Sequence, residues 1–215
     1  ITGQGCYVGD VKLPGQLYAA VLRSPHGHAK LRAIDPGTAL AMAGVVAVFT
    51  AADLGDVRRK IPIRLAPMEG FERFLQEPLA RDVVRYVGEP VALLVAEHPY
   101  LAEDALAAVA VTYEPLDAVV TLDGAASNET IIHARAGTNL ATGYDRGRGR
   151  GDDGFEGAEH VITRTMSCHR HTAAPLETRG LVAEYDPVRD RLRVLGASKV
   201  AFYNRSLLAQ FMDID

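Results

Sequence analysis

"VVRYVGEPVALLVAEHPYLAEDALAAVAVTYEPL" occupies residues 83–116, and its reading decides how the first half of the chain folds. Gly88 breaks it into a short strand and the wholly apolar strand "PVALLVA". Leu101, Ala105, Ala108 and Val109 then recur at helical spacing while Glu103 and Asp104 face outward, which predicts a helix. "VTYEPL" returns as a strand ended by Pro115. A strand–helix–strand unit with both strands apolar implies a mixed α/β domain over roughly residues 3–118.

Upstream, "LYAAVLRS" (17–24) and "HAKLRAID" (28–35) read as strands between Pro and Gly punctuation. "DPGTALAMAG" (35–44) has the marks of a short helix, with Asp35 as cap, Pro36 at the first helical position and Gly44 as the stop. "VVAVFT" (45–50) reads as a buried strand, and Thr50 as the cap of a turn in "AADLG". Residues 56–80, with Pro62, Pro67 and Pro78, form an irregular excursion.

Downstream, residues 119–158 are a connector rich in Gly, Asp, Asn and Ala. Its "DRGRGRGDDG" (145–154) has spaced glycines, but no apolar strand leads in and no Lys-Ser/Thr follows, so it reads as a flexible loop and not a phosphate cradle. "EHVITRTMSCHRHTA" (159–173) reads as a long strand. "LVAEYD" and "RLRVLGAS" form a hairpin about "DPVRD", with Leu181, Ala183, Tyr185, Leu192 and Val194 half-buried. Asn204 is placed to cap a last helix, "RSLLAQFM".

The 215 residues are 48% hydrophobic and 23% charged with a net charge of -4, an ordinary globular composition with no basic block for nucleic acid. No apolar run suits a membrane span. The chain begins at Ile1 without a Met or a signal-peptide pattern, which reads as a trimmed start. Cys6 and Cys168 are too few for a disulfide scaffold, a zinc quartet or an iron–sulfur cluster, and fit a reducing cytoplasm.

Within the strand at 159–173 the pleat puts His169 and His171 on one face with Ser167, and Cys168 and Arg170 on the other, so "CHRH" is no four-residue chelate. A His-x-His pair survives there and another stands at His26 and His28, with Glu177 as a possible oxygen ligand or base. Against a protein-held metal stands the ordinary occurrence of such pairs on hydrogen-bonded strand faces. Cys168 is expected to pack beside Met166 as a buried strand residue, and Glu89 to satisfy local backbone donors in its turn. His98, His133 and His160 stand in polar or loop-like contexts.

Four segments taken together carry a resemblance: "GQGCYVGDVKLPGQLYAAVLRSPHGHAKLRAID", "GVVAVFTAADL", "RYVGEPVALLVAEHPYLAEDALAAVAVTYEPLDAVV" and "HTAAPLETRGLVAEYD". In order and spacing they resemble the amino-terminal part of the large, molybdopterin-binding subunit of the molybdenum hydroxylases, which include xanthine dehydrogenase, aldehyde oxidase and carbon monoxide dehydrogenase. The resemblance implies an α+β chain: a small α/β hammerhead domain at 1–118, a connector at 119–158, and at 159–215 the start of an incomplete molybdopterin-binding domain. It implies oxidative hydroxylation of an aldehyde or aromatic heterocycle with oxygen from water. Electrons then pass from molybdenum to iron–sulfur clusters and FAD on partner chains or domains. The partners expected are therefore the rest of the molybdenum subunit, an iron–sulfur subunit and a flavin subunit.

The metal of that family is held by its pterin, so no histidine need ligate it. Many members carry Gln six residues before the Glu of a "P-[LM]-E" motif, near the molybdenum oxo ligand. In this chain that Glu is Glu177 and the earlier position is His171, a departure from the commoner Gln. The resemblance makes His171 an outer hydrogen-bonding group and Glu177 the motif residue, with "RSPHGHAK" a structural segment. It places no catalytic residue in this chain, because the Gly-rich GGGFG-type loop and the catalytic Glu belong beyond Asp215. Two other readings are a non-catalytic assembly module that kept the hammerhead domain and a small metalloenzyme built on the His-x-His pairs.

Overall fold

The computed structural model describes residues 2–55, 60–63, 68–148, 154–169 and 171–214. Two compact units divide the chain: Leu13–Gly143 with Ala209–Asp215, and Ile1–Lys12 with Tyr144–Leu208.

The larger unit holds two three-stranded sheets. In the first, β1 (Tyr18–Arg23), β5 (Pro90–Ala96) and β3 (Val45–Thr50) lie in the order β1-β5-β3. In the second, β4 (Val83–Val84), β2 (Ala29–Asp35) and β6 (Ala110–Pro115) lie in the order β4-β2-β6. Every pairing is antiparallel. The strand–helix–strand stretch therefore does not form a parallel crossover: β5 and β6 flank the helix α2 (Pro99–Leu106) but join different sheets. An apolar strand signals burial and does not specify the strand it will pair with.

The position of β5 explains its composition. It is the central strand of its sheet, and Val91, Ala92, Leu94 and Ala96 are all buried. Leu94 and Ala96 pack with Ala20, Ala102, Ala105 and Val109 in one core, where α2 covers the sheet with small side chains. Val91 packs instead with Ala29, Ala80 and Val84 against the second sheet. His98 caps α2, its Nδ1 accepting the Tyr100 N–H at 3.3 Å, and Pro99 occupies the first turn, where its missing N–H costs nothing.

Several elements differ from the sequence expectation. β3 is an edge strand with Val46 and Phe49 exposed, not a buried one. The helix α1 is a single turn, Gly37–Leu40, capped by Pro36, while the Asp35 carboxylate accepts the Gly37 N–H at 2.9 Å. The Thr50 turn closes as expected, with Asp53 accepting both the Thr50 amide and hydroxyl. Inside the connector, Thr121 caps a short helix, α3 (Leu122–Ser127), and Asn139 ties the following turn through Ile132 and Thr130.

In the smaller unit a 3₁₀ turn, Val8–Asp10, precedes the antiparallel hairpin of β7 (Leu181–Asp186) and β8 (Arg191–Gly196). Leu181, Ala183, Tyr185 and Val194 are exposed, so of the expected half-buried face only Leu192 is covered. The last helix, α4 (Ala201–Met212), starts earlier than Asn204. Asn204 accordingly lies inside it and donates from Nδ2 to Ser198 Oγ at 2.9 Å. Among the described residues of 159–173 there is no strand: the segment is unpaired and exposed. A strand needs a hydrogen-bonded neighbour, and no described residue supplies one. Arg170 and residues 149–153 of the glycine-rich loop lie outside the described residues.

Candidate functional site

His171 and Glu177 both lie in the smaller unit, on either side of a turn. His171 is exposed, and its ring is fixed only weakly, with Nδ1 3.4 Å from the His169 carbonyl oxygen. Cys168 is exposed with a free thiol, and Met166 is 89% exposed, so neither packs as the pleat argument expected. Without a ladder there is no pleat to sort their faces.

Between His171 and Glu177 the backbone turns at Ala174, whose φ of 44° is left-handed. A non-glycine residue seldom adopts that conformation, and such strain persists only where neighbouring contacts hold it. Glu177 is half-buried, and its Oε1 accepts the Val8 N–H at 2.9 Å. Val8 opens the 3₁₀ turn, which is itself closed by Asp10 Oδ2 accepting the Tyr7 N–H at 2.9 Å. No inspection of spacing could have found this contact, which joins residues 169 positions apart.

The other His-x-His pair is committed to packing. The His26 ring lies tilted against Tyr113 at 4.8 Å, and the buried His28 places Nδ1 2.7 Å from the Asp117 carbonyl. Among the described residues no group of three His, Cys, Asp or Glu side chains gathers to hold a metal.

The larger unit also contains a cleft of about 250 Å³ that sequence reading missed, lined by Lys60, Arg73, Arg81, Arg85, Glu89 and His133 among others. Its arginines are largely occupied as loop ties. Arg81 donates to the Ala51 and Gly55 carbonyls and to Glu77, and Arg73 to Gly70 and Ala136. Glu89 is 4% exposed and accepts the Arg85 backbone N–H, the local role its turn position predicts. Burial raises the Glu89 carboxyl above its ordinary value, opposed by the Arg85 amide and guanidinium. Burial lowers the His133 imidazole, helped by the charges of Arg85 and Lys60.

Residues 2–117 match the family described as aldehyde oxidase and xanthine dehydrogenase, a/b hammerhead domain. The chain belongs to the aldehyde oxidase and xanthine dehydrogenase family. Residues 132–215 match the molybdopterin cofactor-binding domain, so the order is a hammerhead domain followed by the start of a cofactor-binding domain, and the fold is α+β. The chain is 36% identical to the nicotine 6-hydroxylase large subunit of Paenarthrobacter nicotinovorans, over all of this chain and 26% of that protein. It is 34% identical to the carbon monoxide dehydrogenase large chain of Afipia carboxidovorans, over 96% of this chain and 27% of that one. Quinoline 2-oxidoreductase from Pseudomonas putida 86 superposes with a TM-score of 0.85 at 33% identity, over 99% of this chain and 27% of that one. The chain thus spans about a quarter of the length of these family members.

Proposed function

We propose that this chain is the amino-terminal part of a molybdenum hydroxylase large subunit, acting in oxidative hydroxylation of an aromatic N-heterocycle. The observation that carries this reading is the ordered match of both parts of the chain, hammerhead first and cofactor-binding domain second. The substrate class draws on the names of two relatives, one a nicotine hydroxylase and one a quinoline oxidoreductase. In domain terms we read 1–118 as hammerhead, 119–158 as connector and 159–215 as the start of the cofactor-binding part. Iron–sulfur and flavin partners and a cytoplasmic setting complete the reading. Among the described residues no helix is long and apolar enough to cross a membrane.

The residues present fit a molybdopterin group as outer contacts. His171 offers an uncovered imidazole six residues before Glu177. When bound, the group supplies two-electron oxidation of the substrate with transfer of an oxygen derived from water. In this reading His171 donates a hydrogen bond from its ring N–H to the cofactor's oxygen or to substrate. Glu177 belongs to the same motif and sets where that ring stands.

The decisive experiment purifies the native complex, weighs it, and measures its molybdenum and turnover of N-heterocycles. His171→Ala in the full-length subunit is expected to lower turnover by about 10²-fold while molybdenum content and melting temperature stay within error. Unchanged turnover in His171→Ala would remove that residue from the site. A complex containing no molybdenum would sink the enzyme reading and favour an assembly module.

A further inference from the structure

We propose that Glu177 is a positioning residue, pinned through its carboxylate by the Val8 amide so that the turn at residues 7–10 fixes the stretch carrying His171. The pin is visible in three features. Glu177 Oε1 lies 2.9 Å from the Val8 nitrogen, and that N–H opens a 3₁₀ turn, where it has no partner inside the turn. A carboxylate accepting from a backbone N–H is among the stronger protein hydrogen bonds. Val8 is the one covered residue among 2–10, and Glu177 the one covered residue among 171–180. Each therefore takes its cover where the other segment meets it. Gly180 supplies the third feature: a Cβ there would stand 2.9 Å from Val8 Cγ1, so the valine side chain lies directly on the backbone at 180.

Together these contacts hold both sides of the hairpin's entry. A Cβ at Gly196, the residue paired with Leu181 at the base of the hairpin, would meet the Gly180 carbonyl at 2.8 Å. The left-handed Ala174 lies between the pin and His171, so release of Glu177 frees the turn to relax. The carboxylate serves here as a hydrogen-bond acceptor and not as a base or a ligand. An uncharged amide of the same shape keeps the accepting oxygen and so preserves the contact, in weaker form. The influence on turnover rests on the function proposed above, whereas the pin itself does not.

The test uses the full-length subunit in its native complex and compares Glu177→Gln, Glu177→Ala, Gly180→Ala and the pair Gly180→Ala with Val8→Ala. Hydrogen exchange is read on peptides covering 2–12 and 171–180, alongside turnover and molybdenum content. Glu177→Ala is expected to speed exchange in both peptides by about tenfold and to lower turnover, whereas Glu177→Gln stays within about twofold of the parent in both. Gly180→Ala should loosen the same two peptides, and Val8→Ala in the same chain should restore them. Exchange in 2–12 unaffected by both Glu177→Ala and Gly180→Ala overturns the pin. So does a Glu177→Gln enzyme as slow as Glu177→Ala with parental exchange, because the carboxylate would then act chemically. Absence of molybdenum from the parent complex would defeat the proposed function alone, since the exchange comparison still decides the pin.

Discussion

Glu89 shows how a single buried carboxyl can hold a turn. It accepts the Arg85 N–H from within the bend whose Gly88 has a φ of 92°, and the chain around it hydrogen-bonds to Ser24 at both ends. Glu89→Ala leaves that half-buried amide without its partner and is expected to cost roughly 1–3 kcal/mol, with Glu89→Gln costing less because the side-chain oxygen still accepts. Thermal melts of the subunit check the ranking, and equal losses in the two variants would contradict it. Burial raises the Glu89 carboxyl, so its contribution is complete below the ordinary carboxyl value and falls as pH rises through the raised one. His133 runs the other way. Burial, then Arg85 and Lys60, lowers its imidazole from 6.5, so its contribution is present above that value and declines as pH falls through the lowered one. His133→Asn should therefore flatten the fall in melting temperature as pH drops below 6.5. A slope equal to the parent's would show that His133 does not carry it.

At the scale of elements, burial explains both what the sequence revealed and what it concealed. β5 and α2 were legible because a central strand and the helix covering it are apolar on the faces that meet, whatever the topology. The allocation of β5 and β6 to separate sheets was not legible, since pairing depends on register between strands distant in sequence. The segment at 159–173 looked like a strand because of its β-branched residues, yet propensity alone supplies no hydrogen-bond partner. His171 and Glu177 emerged only through the family motif, and the Val8 contact through neither spacing nor motif. The central element is also the most vulnerable. Leu94 is fully buried in the core beneath α2, so Leu94→Ala is expected to cost about 2–5 kcal/mol, seen as a lower onset of unfolding. Gly44 is constrained twice, by a φ of 88° and by Leu101 Cδ2, 2.8 Å from where a Cβ would stand. Gly44→Ala should therefore lower that onset too, and pairing it with Leu101→Ala should recover only the steric part.

Across the whole molecule, stability is concentrated in one place. Every buried residue among those described falls between Ala20 and Val109, within the larger unit. The hairpin of the smaller unit leaves Leu181 at 67% and Val188 at 92% exposure, and Phe202 of α4 is 86% exposed. A two-stranded ribbon whose best-covered apolar residues, Val182, Leu192 and Leu195, are no more than half-buried has little apolar burial to offset the cost of ordering its backbone. Its amides should open locally at far lower free energy than those of β5, which is hydrogen-bonded to a strand on each side and covered by α2. In the 215-residue chain, hydrogen exchange at 181–196 is expected to run at least about 10³-fold faster than at 91–96. Urea at concentrations too low to unfold β5 should speed exchange at 91–96 and leave 181–196 nearly unchanged, narrowing that ratio, because the hairpin opens without the core and exposes little new surface. Comparable protection in the two segments would mean that the hairpin draws stability from contacts other than its own two strands, and the concentration of stability in the larger unit would have to be abandoned.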